Sequence, residues 1–520
     1  MKQMATGIAL PTDINADVNV KVLGLKFHRV IFPASIIVVL ALVLGALIDP
    51  AAAGAFLETL KTAILKHLDW LMMVGGNLMV LFCVVLAVSP YGKIRLGGKD
   101  AKPEFKTLSW FCMIFAAGMG IGLLYWGVAE PVGHYTGWFH TPFNVAKNSP
   151  EAAHAAMGAS VFHWGFHPWA IYVTIAIVVG YFSYNKGLPF AMSSGLQPLL
   201  GKTHTGTVGH VVNVFTVVLT VFGLATSIGL GAMQATAGIT HVLGLPNGFG
   251  YQMAFIAAVT LLAAAALWRG LGSGVKLLSD LNMLLALALF AVVVAGIGFM
   301  TFSAGVVSTT VDFATNFLPL SNWINRNDQG WYHGWTVFYW AWWCTWGPLV
   351  GVFVARVSKG RTLRQLITVV LCAPTVVSIL WFTAFGGGAI GNVSSGTGAL
   401  ASGPLNVDMA LFHFLETLPM FTVTSILVVV LLVIFTVTSV NSGVLVVDSL
   451  SAGGNRNTPA VQRVIWLLMI AFVTVILFVV GDDTALKAIQ AGSVAMGPPF
   501  VALMLLLIVG FVKAILKEPR

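Results

Sequence analysis

Charged residues are scarce in this chain of 520 residues. Asp, Glu, Lys and Arg make up 9% of it, whereas soluble domains carry about 25%. Hydrophobic residues make up 58%, and the mean hydropathy is +0.90. This composition excludes a soluble globular protein, because too few polar side chains are present to cover a surface in water. The sequence predicts an all-α polytopic membrane protein.

Cysteine is also scarce. The four cysteines, Cys83, Cys112, Cys344 and Cys372, all lie in apolar runs. Their spacing excludes the paired cysteines of a metal site and the framework of a disulfide-rich protein. We therefore expect free, packed thiols and no bound cofactor.

The net charge of +9 does not indicate nucleic acid, because the basic residues are distributed by topology. If the N-terminus is cytoplasmic, 22 of the 27 Lys and Arg residues fall on the cytoplasmic side. This is the positive-inside pattern of membrane proteins. It predicts a multi-pass protein of a bacterial-type inner membrane, with both termini cytoplasmic and anionic lipids facing its basic loops.

Apolar runs of about 20 residues, the length that crosses a bilayer, recur along the chain. We predict twelve spans near residues 30–48, 70–90, 107–128, 156–183, 208–240, 251–269, 278–302, 334–354, 365–390, 418–447, 462–481 and 484–511. Residues 1–29 and 512–520 are predicted cytoplasmic tails. Residues 51–67 have the pattern of an amphipathic segment on the outer surface.

The loop pattern divides the spans into blocks. Residues 30–106 hold two peripheral N-terminal spans and a basic cytoplasmic loop. Two five-span blocks follow, 107–302 and 334–511, joined by an outer interfacial helix within 303–333. A five-span block and its copy must enter the membrane from opposite sides. Such inverted repeats place a substrate site at the midplane, between broken helices.

An aromatic segment, F-Y-W-A-W-W-C-T-W-G-P, occupies residues 338–348 inside the eighth span. At about 100° per residue, Trp342, Trp343 and Trp346 fall in one arc, together with Tyr339. Indole faces hold quaternary ammonium groups through cation–π attraction. The alternative is an interfacial belt or packing between helices. Clustering at mid-span, just before a Gly-Pro pair, favours binding.

A second aromatic wall is predicted in the fourth span, F-H-W-G-F-H-P-W-A-I-Y. Trp164, Trp169 and Tyr172 share about 140° of arc on one helix. His163 and His167 have the H-x-x-x-H spacing of membrane metal enzymes, which is the alternative from a different class. Such enzymes need further His boxes to complete the metal shell, so we interpret this pair as helix–helix hydrogen bonding.

Two polar or flexible segments suit a carboxylate and a cation. Gly118, Gly120 and Gly122 lie in mid-span within A-A-G-M-G-I-G, where local unwinding would free amides and carbonyls. Close packing through small residues is the alternative. In the tenth span, Thr438 and Ser439 offer neutral oxygens for a monovalent cation, although hydroxyls also join membrane helices.

Ionisable residues are absent from the middle of the predicted spans. Glu130 and Asp448 fall near span ends. Proton relays in membranes usually need a residue of this kind, so proton coupling is disfavoured. The substrate should then carry no net charge. A zwitterion fits, with its ammonium against the indoles and its carboxylate against freed amides.

The motifs A-G-M-G-I-G, F-H-W-G-F-H-P-W, Y-W-A-W-W-C-T-W-G-P and A-R-V-S-K-G-R-T together resemble those of the betaine/choline/carnitine transporter family, over about residues 20–511. The resemblance implies a leucine-transporter-like 5+5 inverted repeat with two extra N-terminal helices. It also implies a homotrimer.

The resemblance implies the site residues as well. The substrate box of glycine betaine members would be Trp164, Trp169, Tyr172, Trp342, Trp343 and Trp346, with Phe338 nearby. The family's sodium site would use the carbonyls of Ala116, Met119 and Phe435 and the hydroxyls of Thr438 and Ser439. Ser227 looks like the fifth-span position that touches substrate. Choline-specific members tend to carry Asp at the position of Gly122, which favours betaine here.

We therefore predict a transporter rather than an enzyme. It would import glycine betaine or a similar trimethylammonium or onium zwitterion with sodium as the coupling ion, for osmoprotection. The alternatives are a sodium-independent carnitine-type exchanger or a choline importer of the same family. A membrane metal enzyme that uses His163 and His167 is the alternative outside transport.

Overall fold

The computed structural model describes residues 19–269, 274–403, 406–481 and 485–518. Of the predicted N-terminal tail, residues 1–18 lie outside the described part. The remainder forms an antiparallel hairpin of β1 (Asn19–Val22) and β2 (Leu25–His28). The all-α prediction thus holds apart from one short hairpin. Residues 519–520 of the predicted C-terminal tail are also outside the described residues.

Helices make up most of the described chain. In its first half they are α1 (Ile31–Ile48), α2 (Pro50–His67), α3 (Asp69–Val88), α4 (Thr107–Gly118), α5 (Gly120–Thr136), α6 (Pro150–Trp164), α7 (Phe166–Tyr184), α8 (Gln197–Leu200), α9 (Thr207–Leu243) and α10 (Phe249–Arg269). In its second half they are α11 (Gly274–Ile297), α12 (Phe299–Leu320), α13 (Gln329–Trp331), α14 (Phe338–Val357), α15 (Leu363–Phe382), α16 (Gly388–Ser394), α17 (Ala399–Ser402), α18 (Ala410–Leu415), α19 (Phe421–Ser451), α20 (Ala460–Gly481) and α21 (Ala485–Ile515).

The described residues contain twelve candidate membrane spans, which confirms the predicted polytopic architecture. Eleven are long, apolar helical segments, and the twelfth is the bent pair of α4 and α5. Several segments are longer than hydropathy alone indicated. The fourth begins at Pro150, and the ninth runs from Leu363 to Ser394 through a π-helical turn.

Two of the spans are interrupted beside the aromatic segments. The third breaks at Met119, where α4 and α5 meet at 60°. The fourth breaks at Gly165, which has φ −95° and ψ −127°. The prediction of one helix over residues 162–172 is therefore wrong, because α6 ends at Trp164 and α7 begins at Phe166. A Cβ at residue 165 would lie 2.7 Å from the Val161 carbonyl oxygen, so glycine permits the break.

The core forms where α14 packs along α7. A Cβ on Gly351 would lie 2.5 Å from the Cβ of Ile175 and 2.9 Å from the Tyr172 carbonyl oxygen. Only a residue without a side chain allows the two backbones to come so close. This close approach brings the aromatic residues of the fourth and eighth spans together.

The segment at residues 51–67 is helical, as α2, and Ile64 is its one buried residue. The predicted connecting helix is α12. It packs closely on α6, because a Cβ on Gly158 would lie only 2.8 Å from the Asp312 carbonyl oxygen. Cys83 and Cys344 are free and buried as expected, but Cys372 is exposed rather than packed.

Candidate functional site

The indoles of α14 form a buried wall. Trp342 stacks on Trp343 with ring centroids 4.8 Å apart, and Trp346 meets Trp342 edge-to-face at 6.3 Å. None of the three is more than 4% exposed. They face the protein interior and not lipid, which removes the interfacial-belt interpretation for this segment.

The second wall meets the first directly. Trp164, the last residue of α6, contacts Trp343 edge-to-face at 4.8 Å and Trp342 at 6.2 Å. On α7, Tyr172 lies 5.5 Å from Trp169 and 6.3 Å from Trp343. The break at Gly165 turns α7 relative to Trp164, so the wall is built from two helices instead of one.

Phe338 extends the first wall by stacking on Trp342 at 5.9 Å. The structure therefore brings all seven predicted aromatic residues into one contiguous set. We call this set the aromatic box: Trp164, Trp169, Tyr172, Phe338, Trp342, Trp343 and Trp346.

The glycines of the broken third span pack against the aromatic box. A Cβ on Gly118 would lie 2.6 Å from Cη2 of Trp169, and one on Gly122 would lie 2.4 Å from Cη2 of Trp164. Both distances are too short for any side chain. These glycines therefore let the chain approach the indoles closely, which supports the packing alternative. Substrate binding by Gly118, Gly120 and Gly122 stays a prediction.

Some polar atoms of the aromatic box lack a partner. Among the described residues, the indole nitrogens of Trp342 and Trp346 and the hydroxyl of Tyr172 are buried without a hydrogen bond. By contrast, Trp343 donates its indole N–H to the His163 carbonyl at 2.9 Å. An unpaired buried donor costs about 1–3 kcal/mol. A ligand with acceptor oxygens would relieve this cost.

Glu130 is a buried ionisable residue, whereas the sequence predicts it near a span end. It lies in the middle of α5, is fully buried and contacts the aromatic box. Its Oε2 accepts hydrogen bonds from the Trp164 indole at 2.7 Å and from the Tyr339 hydroxyl at 2.5 Å. Hydropathy placed Glu130 near a span end because α5 continues to Thr136, beyond the apolar run. The signal that could have found it is the nearby His134, four residues on.

Two histidines complete the Glu130 network. Trp331 donates to Nδ1 of His134 at 3.0 Å, so the neutral imidazole of His134 carries its proton on Nε2, 3.3 Å from Oε1 of Glu130. His163 bridges Oε1 of Glu130 at 2.7 Å and the Thr336 hydroxyl at 3.0 Å. The carboxylate and the imidazoles are close enough to share a metal ion. However, Trp331 and Thr336 hold the other nitrogens of the two imidazoles, and all three side chains are completely buried.

The histidine pair predicted for a metal enzyme is not brought together at one centre. His163 points to Glu130, whereas Nε2 of His167 lies 2.9 Å from the side-chain oxygen of Asn77 on α3. The two imidazoles join different helices. This supports the interpretation of the H-x-x-x-H spacing as helix–helix hydrogen bonding.

The predicted sodium ligands lie on the two elements that meet at the break. Met119 is the C-cap of α4, and a Cβ on Gly120 would lie 2.4 Å from Phe435 of α19. Ala116 lies in α4, one turn before the break. Thr438 and Ser439 are buried on α19, one turn beyond Phe435.

Asn282 of α11 is a further residue that the sequence did not indicate. Its side-chain nitrogen donates to the Thr438 hydroxyl at 3.4 Å, and its Oδ1 is buried without a partner. The Thr438 hydroxyl in turn contacts the Ile434 and Phe435 carbonyls of its own helix, at 2.9 and 3.1 Å. Several neutral oxygens are thus gathered beside the break.

Ser227 is buried on α9, and its hydroxyl donates to the Gly223 carbonyl at 2.9 Å within the same helix. Gly223 in turn faces the Thr345 carbonyl of α14, which a Cβ would approach to 2.7 Å. Ser227 therefore lies one turn from a contact with the helix of the aromatic box. Its role as a substrate ligand stays a prediction.

The sequence matches the betaine/carnitine/choline family of transporters over residues 30–520. It is 46% identical over 502 residues to glycine betaine transporter 1 of Vibrio parahaemolyticus, covering 96% of each chain. A glycine betaine/proline/choline/ectoine transporter of the same organism is 45% identical over 502 residues, covering 96% of this chain and 89% of the relative. The glycine betaine transporter OpuD of Bacillus subtilis is 37% identical over 502 residues, covering 95% and 96%.

Proposed function

Since the chain belongs to the betaine/carnitine/choline family of transporters, we propose that it imports glycine betaine or a similar onium zwitterion together with sodium. It is a multi-pass membrane transporter of quaternary ammonium compounds and not an enzyme. The choice of betaine, the coupling ion and the direction of transport are the steps that the proposal adds.

The observation that carries the proposal is the contact between two buried indole walls. Trp164 touches Trp342 and Trp343 from a different helix, at 6.2 and 4.8 Å. A methylated ammonium ion cannot donate hydrogen bonds, so ring faces are its natural partners. Away from water, each such contact contributes about 2 kcal/mol or more.

The carboxylate of a zwitterion also has partners in the same place. The indole N–H groups of Trp342 and Trp346 and the Tyr172 hydroxyl are buried donors without acceptors. A carboxylate brings lone pairs to several donors at once, and hydrogen bonds to a charged acceptor are the stronger kind. Choline offers a single hydroxyl instead, so it would satisfy fewer of these donors.

Sodium coupling is supported by the neutral oxygens beside the break. The Thr438 hydroxyl lies 3.1 Å from the Phe435 carbonyl oxygen, and the side-chain amide of Asn282, whose Oδ1 is buried without a partner, donates to that hydroxyl at 3.4 Å. Hard cations take oxygen ligands of this kind. Phe435 packs on Gly120, so an ion bound here would brace α19 against the broken span and favour the shape of the aromatic box that accepts substrate.

The wider mechanism follows the predicted 5+5 inverted repeat, with residues 107–302 and 334–511 as the two blocks. The first two spans of each block would rock to open the midplane site towards the cytoplasm, and the two N-terminal spans, within residues 30–106, would stay peripheral. We place both termini in the cytoplasm of a bacterial-type cell and expect a homotrimer in the inner membrane.

Uptake of labelled glycine betaine into proteoliposomes tests the proposal. Accumulation is expected with an inward sodium gradient and should fall to the level of empty liposomes when potassium replaces sodium. Equal uptake in both salts would refute sodium coupling. No uptake in either salt would refute betaine as the substrate.

A second candidate is broader substrate use, because the name of one similar transporter includes choline, proline and ectoine. Binding measurements with betaine, choline, carnitine, ectoine and dimethylsulfoniopropionate would separate the candidates. A sodium-independent carnitine-type exchanger would bind carnitine equally well in sodium and in potassium. The unpaired donors predict the tightest binding for betaine-like zwitterions.

A further inference from the structure

Two imidazoles and a carboxylate lie together where the end of α9 meets the segment before α19. Nε2 of His241 is 2.6 Å from Oε1 of Glu416, and Nδ1 of His413 is 3.0 Å from Oε2 of the same carboxylate. All three potential ligand atoms lie within 4.8 Å of one another. We call these three residues the rim cluster.

We propose that the rim cluster binds a divalent transition metal of the Zn²⁺ class and that the bound ion inhibits transport. Two imidazole nitrogens and one carboxylate oxygen form a ligand set that Zn²⁺ uses in proteins, with water in the fourth position. Tetrahedral Zn²⁺ with bonds of about 2.1 Å needs ligand atoms about 3.4 Å apart. The two imidazole–carboxylate distances, 2.6 and 3.0 Å, are within about 1 Å of this spacing, so small side-chain rotations would complete the site.

Exposure distinguishes the rim cluster from the other histidine–carboxylate cluster. Glu130, His134 and His163 are completely buried, and their hydrogen bonds lock them into the protein interior. In the rim cluster, the side chains of His241, His413 and Glu416 are 34%, 23% and 33% exposed. An ion can therefore reach it from solvent, and water can occupy the open coordination position.

The inhibitory effect follows from where the ligands lie in the chain. His241 is in the last turn of α9, whereas His413 and Glu416 belong to α18 and its C-cap, just before α19. Under the proposed function the first two spans of each block rock, so the segment that follows the ninth span must move relative to the end of the fifth span during transport. An ion that joins them would hold one arrangement. The positive-inside distribution places this end outside the cell.

Zinc binding to the purified full chain is the primary test, because it does not depend on substrate. Titration calorimetry with ZnCl2 should give one site per chain with micromolar affinity. His241→Gln can keep a hydrogen bond to Glu416 but removes the metal ligand. It and His413→Ala should weaken binding by about 100-fold or more, since even outer partners of metal ligands contribute about 10–100-fold.

His154→Ala is the matched control. His154 pairs with Asp312 at 2.8 Å, and its side chain is 61% exposed, but the described residues show no second imidazole there. This variant should bind Zn²⁺ as the wild type does. Binding that is absent in the wild type, or unchanged in both rim-cluster variants, would overturn the proposal.

Transport supplies the second readout. Micromolar ZnCl2 added outside should slow betaine uptake by the wild type and by His154→Ala, and a chelator should restore it. His241→Gln should transport normally and resist the ion. Zinc that binds the wild type without slowing transport would refute the inhibitory role. A wild type that takes up no betaine would instead refute the proposed function. The zinc titration would still show whether the rim cluster binds the ion.

Discussion

Replacing Glu130 with glutamine tests whether this carboxylate holds the aromatic box in place. Glutamine has nearly the same shape but offers one acceptor oxygen and one donor amide. Oε2 of Glu130 faces the donors of Trp164 and Tyr339, and Oε1 faces the two imidazoles. The amide can be placed on only one of these sides.

The expected magnitude follows from the proton positions. With its oxygen towards Trp164 and Tyr339, the new side chain directs its NH2 at the imidazoles. His163 can change tautomer and accept, because its other nitrogen faces the Thr336 hydroxyl. His134 cannot, because its Nδ1 already accepts from Trp331. The new amide N–H and the Nε2–H of His134 are then two buried donors that face each other. An unpaired buried donor costs about 1–3 kcal/mol, which weakens substrate affinity roughly 5- to 150-fold where the cost falls on binding.

The assay combines thermal unfolding of the purified protein with the KM of betaine uptake. Glu130→Gln should lower the unfolding midpoint and raise KM within that range. Asp312→Asn is the control, since it removes another buried carboxylate. Asp312 is on α12 and is bonded to His154 of α6 and to Ser308 of its own helix. This control variant should leave KM unchanged. A wild-type KM in Glu130→Gln, or an equal rise in both variants, would refute the reasoning.

The remaining predictions concern the glycine contact, the sodium ligands and the N-terminal hairpin. Gly122→Ala should abolish most betaine uptake in the proteoliposome assay while the protein remains folded, because a Cβ there would lie 2.4 Å from Trp164. Thr438→Val should raise the sodium concentration for half-maximal uptake about tenfold or more, whereas Thr436→Val on the same helix should not; equal effects would contradict the assignment. His28 accepts hydrogen bonds from the first amides of α1, and burial lowers its pKa to about 4. Since its pKa is lower in the folded state, stability should be complete above about pH 6.5 and decrease as the pH falls towards 4; His28→Asn should remove that part of the decrease in a thermal-unfolding series.

Hydropathy determined the membrane architecture. A run of about 20 apolar residues needs no tertiary context to be assigned to a bilayer, because the lipid is its solvent. The twelve candidate spans agree with this prediction, including the span that breaks at its glycines. Helical spacing likewise put Trp342, Trp343 and Trp346 on one face, since residues three or four apart share a face on any helix.

Sequence periodicity could not predict how the spans pack against one another. The break at Gly165 places Trp164 and Trp169 on separate helices, and neither residue type nor spacing encodes that angle. The contact of Gly122 with Trp164 depends on two helices packing at a particular depth.

The burial of Glu130 was decided by tertiary structure alone. In the sequence it is one acidic residue near the end of an apolar run, which usually faces headgroups or water. In the folded chain it is surrounded by donors from the third, fourth and eighth spans, which together replace its hydration. Local sequence thus fixed which segments lie in the membrane and which faces are aromatic. Only the packing of distant helices could determine which polar groups meet inside, because a hydrogen bond depends on positions that local periodicity does not specify.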